Sequence, residues 1–206
     1  MRGKFITVEG TDGAGKSTQM DMLIKYLEEK GIEVVVTREP GGTKISEKLR
    51  EIILDAENKE MTDTTEAMLY AASRAQHVEE KIIPALNEGK FVICDRFVDS
   101  SVVYQGYARG LDMEMIESIN KYAVCGLVPD ITLFFDITPE AGIARKKNMH
   151  QLDRIEQEKM DFHYKVYNGY KALCEKYPER IKRINAENDI ETVHKDVLAA
   201  VEEILK

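Results

Sequence analysis

The stretch Gly10-Thr11-Asp12-Gly13-Ala14-Gly15-Lys16-Ser17-Thr18 decides the reading of this 206-residue chain. It matches G-x-x-x-x-G-K-[ST] at every fixed position. Glycines at these places let successive backbone N–H groups turn inward around phosphates, and the positive end of a following helix points at the same charge. The segment before it, Phe5 to Glu9, is β-rich, and the segment after it repeats Met20, Leu23, Ile24 and Leu27 at helical spacing. The motif therefore sits between a strand and a helix, where a phosphate-binding loop belongs. Gly10 to Thr18 are read as the ATP site, with Lys16 along the β- and γ-phosphates and Ser17 as a Mg²⁺ ligand.

Outward from the loop, short β-rich runs alternate with longer helical patterns. Strands are predicted at Phe5 to Glu9, Ile32 to Thr37, Phe91 to Asp95, Ile131 to Asp136 and Ile181 to Asn185. This alternation specifies an α/β fold, a P-loop NTPase whose five-stranded parallel sheet carries helices on both faces. Gly31 supplies a stop for the first helix. Asp63 and Glu66 have capping-box spacing for a long helix that Pro84 should kink or end. Asp112 is read as the cap of a helix carrying Ile116 and Ile119. Asn188 or Asp189 opens a last helix with an apolar stripe from Ile190 to Ile204. No repeat or Pro/Gly/Ser linker divides the chain, so a single domain over 1–206 is expected. A basic run over 145–154, containing Arg145, Lys146, Lys147 and Arg154, reads as a lid over the phosphates or, more simply, as a solvated helix end and turn.

The composition narrows the function. A hydrophobic fraction of 43% supports a full core, and a net charge of -8 repels polyanions, so extended nucleic-acid binding is disfavoured. The segment before the glycine loop is too short for a signal peptide, and no run approaches the roughly 18 apolar residues of a membrane span, so a cytoplasmic protein is expected. Cys94, Cys125 and Cys174 are too widely spaced for a redox or zinc pair and read as buried thiols. His77, His150, His163 and His194 lack metal-ligand spacing.

Polar residues at the carboxyl ends of strands offer an acceptor site, because open α/β sheets bind ligands there. Thr37-Arg38-Glu39-Pro40-Gly41-Gly42-Thr43 follows the second strand and Asp95-Arg96-Phe97 the third. Arg38 and Arg96 present planar forks suited to a phosphate. Each could instead pair with its neighbour, Glu39 or Asp95. Asp95 also fits the acidic position that holds Mg²⁺ through water.

Six stretches in order, V-E-G-T-D-G-A-G-K-S-T, T-R-E-P-G-G-T, M-L-Y-A-A-S-R, D-R-F-V-D-S-S-V-V-Y-Q-G-Y-A-R-G, P-D-I-T-L-F-F-D and L-D-R-I-E-Q-E, resemble the thymidylate kinases of bacterial type over nearly the whole chain. The resemblance implies a nucleoside monophosphate kinase with a lid, which passes the γ-phosphoryl of ATP to dTMP with Mg²⁺. It implies that Arg38 and Arg96 bind the acceptor phosphate and that Asp12 lies close to the acceptor nucleotide. Tyr70 would stack on thymine and Arg74 bond its edge, with Glu39, Pro40, Ser101, Tyr104 and Gln105 completing the acceptor site. A donor-only Arg74 suits thymine O4 and opposes the amino group of cytosine. Two departures matter. Phe97 is apolar where an aromatic or histidine can hydrogen-bond, and Gly13 stands where some members carry a P-loop arginine. The missing charge is assigned to the lid, with Lys16, Arg96, Asp12, Arg145 and Arg154 as the catalytic set.

The resemblance also implies a homodimer, for which the helices from Asp63 to Ile83 and Asp112 to Ala123 could supply an apolar face. Two rivals remain open at this point. One is another small-molecule kinase, which would share Lys16 and Ser17 but not Tyr70 and Arg74. The other is a nucleotide switch. No base-reading N-K-x-D run suited to guanine is present, since Asn120-Lys121 is followed by Tyr122-Ala123.

Overall fold

The computed structural model describes residues 2–146 and 153–205. Five strands, β1 (Phe5–Glu9), β2 (Val34–Arg38), β3 (Phe91–Asp95), β4 (Ile131–Asp136) and β5 (Ile181–Asn185), form one sheet in the order β2-β3-β1-β4-β5. Every pairing is parallel, with Val8 opposite Asp95, Arg38 opposite Asp95 and Glu9 opposite Phe134. The strand order reverses beside β1, so the loop that leaves β1 opens over the crevice where such sheets bind ligands.

Alternation along the strands assigns the two faces. Ile6 and Val8 pack with Leu23 and Leu27 of α1 (Lys16–Glu29) and with Val193 and Val197 of α9 (Ile190–Leu205). Phe5 points the other way, to Val78 and Ile82, and Phe134 meets Phe162 and Val166 of α8 (Met160–Lys176). Both faces of the sheet are covered, as the continuous apolar strands require.

Local differences from the sequence reading have visible causes. β2 starts at Val34 and not at Ile32, because the Ile32 N–H donates to the Leu27 carbonyl across the Gly31 turn (3.0 Å). The long helix α3 (Asp63–His77), which follows α2 (Lys44–Leu54), is capped by the Thr62 hydroxyl, which accepts from the Thr65 N–H, so the Asp63–Glu66 capping box does not form. Glu66 is turned into the protein instead. A π-helical turn, Val78–Ile82, ends α3, and Pro84 lies in the first turn of α4 (Ile83–Asn87). α5 (Val98–Ser101) runs into a second π-helical segment, Val102–Ala108, before α6 (Met113–Ala123). Asp112 caps α6 through the Glu114 N–H, and Asp189 accepts from the Thr192 N–H at the start of α9. α7 (Pro139–Lys146) precedes the undescribed residues.

The thiols differ from one another. Cys94 is buried and Cys174 half-buried, but Cys125 is exposed, because it occupies the turn after α6 with a left-handed backbone (φ 49°). Of the three expected to be buried, Cys94 alone is fully so.

Candidate active site

The loop between β1 and α1 has the form its glycines predict. Gly10, Gly13 and Gly15 all have positive φ, and Gly15 precedes the first turn of α1. A Cβ on Gly13 would lie 2.1 Å from the carbonyl oxygen of Gly142 in α7. No side chain fits there, which is why this chain cannot carry an arginine at that place. Lys16 is 6% exposed and its Nζ donates to the carbonyls of Gly10 (3.1 Å) and Thr11 (3.2 Å). Burial, then the nearby Arg96 charge, lowers its pKa from the ordinary value. Ser17 and Thr18 are exposed at the start of α1.

One cavity beside this loop is lined by Arg38, Glu39, Pro40, Tyr70, Arg74, Arg96, Ser101, Tyr104 and Gln105, every residue assigned to the acceptor, and also by Asp12 and Asp95. Arg96 adopts φ 67° and donates to Asp12 Oδ1 (2.9 Å) and to the Tyr104 hydroxyl (3.2 Å). Asp12 also stands 3.9 Å from Lys16 Nζ. The carboxylate thus bridges the cation of the P-loop and the cation of the cavity. Arg38 is exposed and pairs with Glu47 (3.0 Å), not with Glu39.

Glu39 belongs to Arg74. The Arg74 guanidinium is 1% exposed and donates to Glu39 Oε2 (2.7 Å), Ser101 Oγ (2.9 Å), Asn120 Oδ1 and the Phe97 carbonyl (3.1 Å). His77 completes the group by bonding Glu39 Oε1 and Thr37. The Glu39–Pro40 peptide bond is cis. Phe97 packs edge-on to Phe5 at 4.9 Å and makes no side-chain hydrogen bond, as its apolar ring predicts.

The two lid arginines are not brought together. Arg145 donates to the Ala186 carbonyl (2.8 Å), whereas Arg154 donates to the Ile53 carbonyl (3.0 Å) and Glu66 Oε2 (2.6 Å). Lys147 and most of 145–154 lie outside the described residues, as does His150.

Several residues of this neighbourhood escaped the sequence reading. Arg50 lines the cavity and donates to the Pro40 carbonyl (2.8 Å), and Leu54, Ser100, Asp153, Ile155 and Glu156 line it as well. Glu9 is another. It is fully buried, accepting from the Phe97 N–H (2.7 Å), Ser100 Oγ (2.6 Å) and the Tyr170 hydroxyl (2.8 Å). Its only signal in the sequence is an acid closing an otherwise uncharged strand. Burial, followed by the Asp99 charge, pushes its carboxyl from 4.5 up to about 7.

That shift has a readable consequence. Between pH 4.5 and about 7 the native protein keeps a proton that the unfolded chain has released, so stability contributed here falls as pH rises through that window. Glu9→Gln should flatten the slope of Tm against pH from 5 to 8. An unchanged slope would remove Glu9 as its source.

The family model described as "Thymidylate kinase" matches residues 8–197. A thymidylate kinase of an Exiguobacterium species is 52% identical over 198 residues, 96% of this chain and 93% of that protein. One from Caldanaerobacter subterraneus subsp. tengcongensis is 53% identical over 206 residues, 100% of this chain and 98% of its own length. Among solved structures, thymidylate kinase from Ehrlichia chaffeensis superposes with a TM-score of 0.80 at 34% identity, covering 98% of this chain and 99% of the other.

Proposed function

Because the chain belongs to the thymidylate kinase family, we propose that its P-loop and the cavity beside it transfer the γ-phosphoryl of ATP to dTMP, giving dTDP and ADP. The observation that carries this reading is the convergence of Arg38, Tyr70, Arg74, Arg96 and Gln105, from three separate stretches of sequence, on a cavity that Asp12 links to Lys16.

The acceptor phosphate has a second pKa near 6 and is already a nucleophilic anion at neutral pH. No general base is required. Lys16, held at the loop by the Gly10 and Thr11 carbonyls, meets the phosphates of ATP there, and Arg38 and Arg96 hold the acceptor phosphate in line with them. Asp12 keeps Arg96 aimed at that meeting point. Tyr70 stacks on the base, while Pro40 and Tyr104 border its methyl and the sugar.

Mg²⁺ fits the donor set on one orphaned atom. Asp95 Oδ1 is buried with no hydrogen-bond partner among the described residues, and Asp95 and Ser17 line a common concavity. Ser17 and Asp95 would hold the ion, which neutralises charge on the β- and γ-phosphates when bound. Arg145 and Arg154 are proposed to add charge at the transferring phosphoryl once the lid closes. For Arg154 this requires release from Glu66.

A second copy of the chain is the proposed partner. α3 and α6 leave Met68 (51% exposed) and Tyr122 (81% exposed) uncovered. No nucleic acid or membrane partner is proposed. Among the described residues no helix is long and apolar enough to cross a membrane, and cytoplasmic action on free nucleotides follows from the proposed substrates.

Measuring ATP turnover with and without dTMP tests the reading. A kinase shows turnover that depends on the acceptor. A switch ATPase would show the same slow hydrolysis in both.

A further inference from the structure

Gln105 lines the acceptor cavity, is 1% exposed, and donates through Nε2 to Glu66 Oε1 at 2.8 Å. A carboxylate has no proton to give, so the amide must turn its NH₂ toward Glu66. The Gln105 side-chain oxygen is left on the other side, since among the described residues the bond to Glu66 is the one hydrogen bond this side chain makes. Glu66 cannot escape this role by taking up a proton. Burial works against its ionisation, but hydrogen bonds from Arg109 and Gln105 and the Arg109 charge outweigh it and hold the carboxyl below its ordinary range. Arg109 donates to Oε1 at 3.3 Å and to Oε2 at 3.0 Å, so the carboxylate stays fixed in place even when Arg154 lets go of it.

Arg74 supplies the complementary half. Of its five N–H groups, four are engaged by Glu39, Ser101, Asn120 and Phe97, which leaves one Nη2 N–H. Arg74 and Gln105 both line the cavity, so between them they have one donor and one acceptor left for a base. Thymine presents the matching pair, O4 and N3–H. Cytosine presents the reverse, an amino group and a bare N3.

We propose that Glu66 is a positioning residue that sets base selectivity: by fixing the Gln105 amide, it presents a carbonyl acceptor to the N3–H of thymine and opposes the N3 lone pair of cytosine. The proposal rests on the reading that this cavity takes dTMP. It says nothing against uracil, whose O4 and N3–H are the same as those of thymine. Orientation by a buried carboxylate thus separates dTMP and dUMP from dCMP, and leaves dTMP and dUMP unseparated.

Glu66→Gln tests this, because the donor-only Arg109 would keep the new amide's oxygen, leaving its NH₂ to face Gln105 and turn that amide round. The ratio of kcat/KM for dTMP to that for dCMP should fall by about tenfold or more, since a mismatched buried hydrogen-bond pair is worth at least that factor. The dTMP to dUMP ratio should stay within about twofold. A folded variant with both ratios unchanged, or with both altered together, overturns the proposal. Should Glu66→Gln not fold, the exchange Glu66→Gln with Gln105→Glu decides: it restores one carboxylate to the cluster and again faces the cavity with an acceptor. Retained preference for dTMP over dCMP in the exchange supports the proposal, and equal use of the two contradicts it. Absence of dTMP phosphorylation by the unmodified protein would instead count against the functional reading itself.

Discussion

Lys16→Ala is expected to lower phosphoryl transfer by about 10³-fold or more, roughly 4 kcal/mol of transition-state stabilisation. The size follows from where the charge sits. Lys16 is almost fully buried and held on the Gly10 and Thr11 carbonyls, so its ammonium is at the loop before any nucleotide arrives. A preorganised cation of this kind does not reorganise during the reaction. Alanine removes it and leaves two backbone carbonyls facing the loop. Lys16→Arg should rescue little, because a planar fork cannot occupy the space of a compact ammonium between those carbonyls. Single-turnover transfer measured at saturating ATP, beside a thermal melt to verify folding, checks this. Transfer within tenfold of the unmodified protein would sink the P-loop assignment.

Arg74→Ala should act first on stability, costing about 3–5 kcal/mol, the range for stripping one partner from a buried ion pair. The resemblance implies that Arg74 bonds the edge of thymine, and the structure gives it a second task in holding the fold. Its guanidinium ties the Glu39 loop, Ser101, Asn120 of α6 and the Phe97 carbonyl into one buried knot. Alanine leaves Glu39, whose other partner among the described residues is His77, without its compensating charge. For a chain of this length the loss corresponds to a Tm lower by roughly 6–20 °C. Arg74→Lys keeps the charge but not the fork, and should fall in between. A Tm within about 2 °C of the unmodified protein would contradict the account, as would an unchanged preference among monophosphates at a temperature where the variant is folded.

Much of this was legible because it is local. β1, β3, β4 and β5 follow the apolar runs Phe5 to Glu9, Phe91 to Asp95, Ile131 to Asp136 and Ile181 to Asn185. The loop at Gly10 to Thr18 could be read from glycine spacing alone. Strand order could not, because β1 pairs with β3 and β4 while its neighbour in sequence, β2, lies beyond β3. The site divides along the same line. Arg38 and Arg96 stand at strand ends, where residue type and position suffice to place them over the crevice. Glu9 and Glu66 were missed because their partners come from far along the chain: Tyr170 is 161 residues from Glu9, and Arg154 is 88 from Glu66. Helical spacing made Glu66 look like a capping residue. Only tertiary packing turns it inward, toward Gln105 and Arg109. Arg154 likewise reads as a lid cation in sequence, while the folded chain gives it a carboxylate to hold.

The central claim is that this cavity accepts dTMP and that ATP supplies the phosphoryl group. It is tested most directly by following ADP release with ATP and Mg²⁺ across the natural nucleoside monophosphates, each supplied in turn. The account predicts rapid, acceptor-dependent release with dTMP, weaker or comparable release with dUMP, and very little with dCMP or the purine nucleotides. Preference for any purine or cytosine monophosphate, or ADP release that ignores the acceptor, would contradict it.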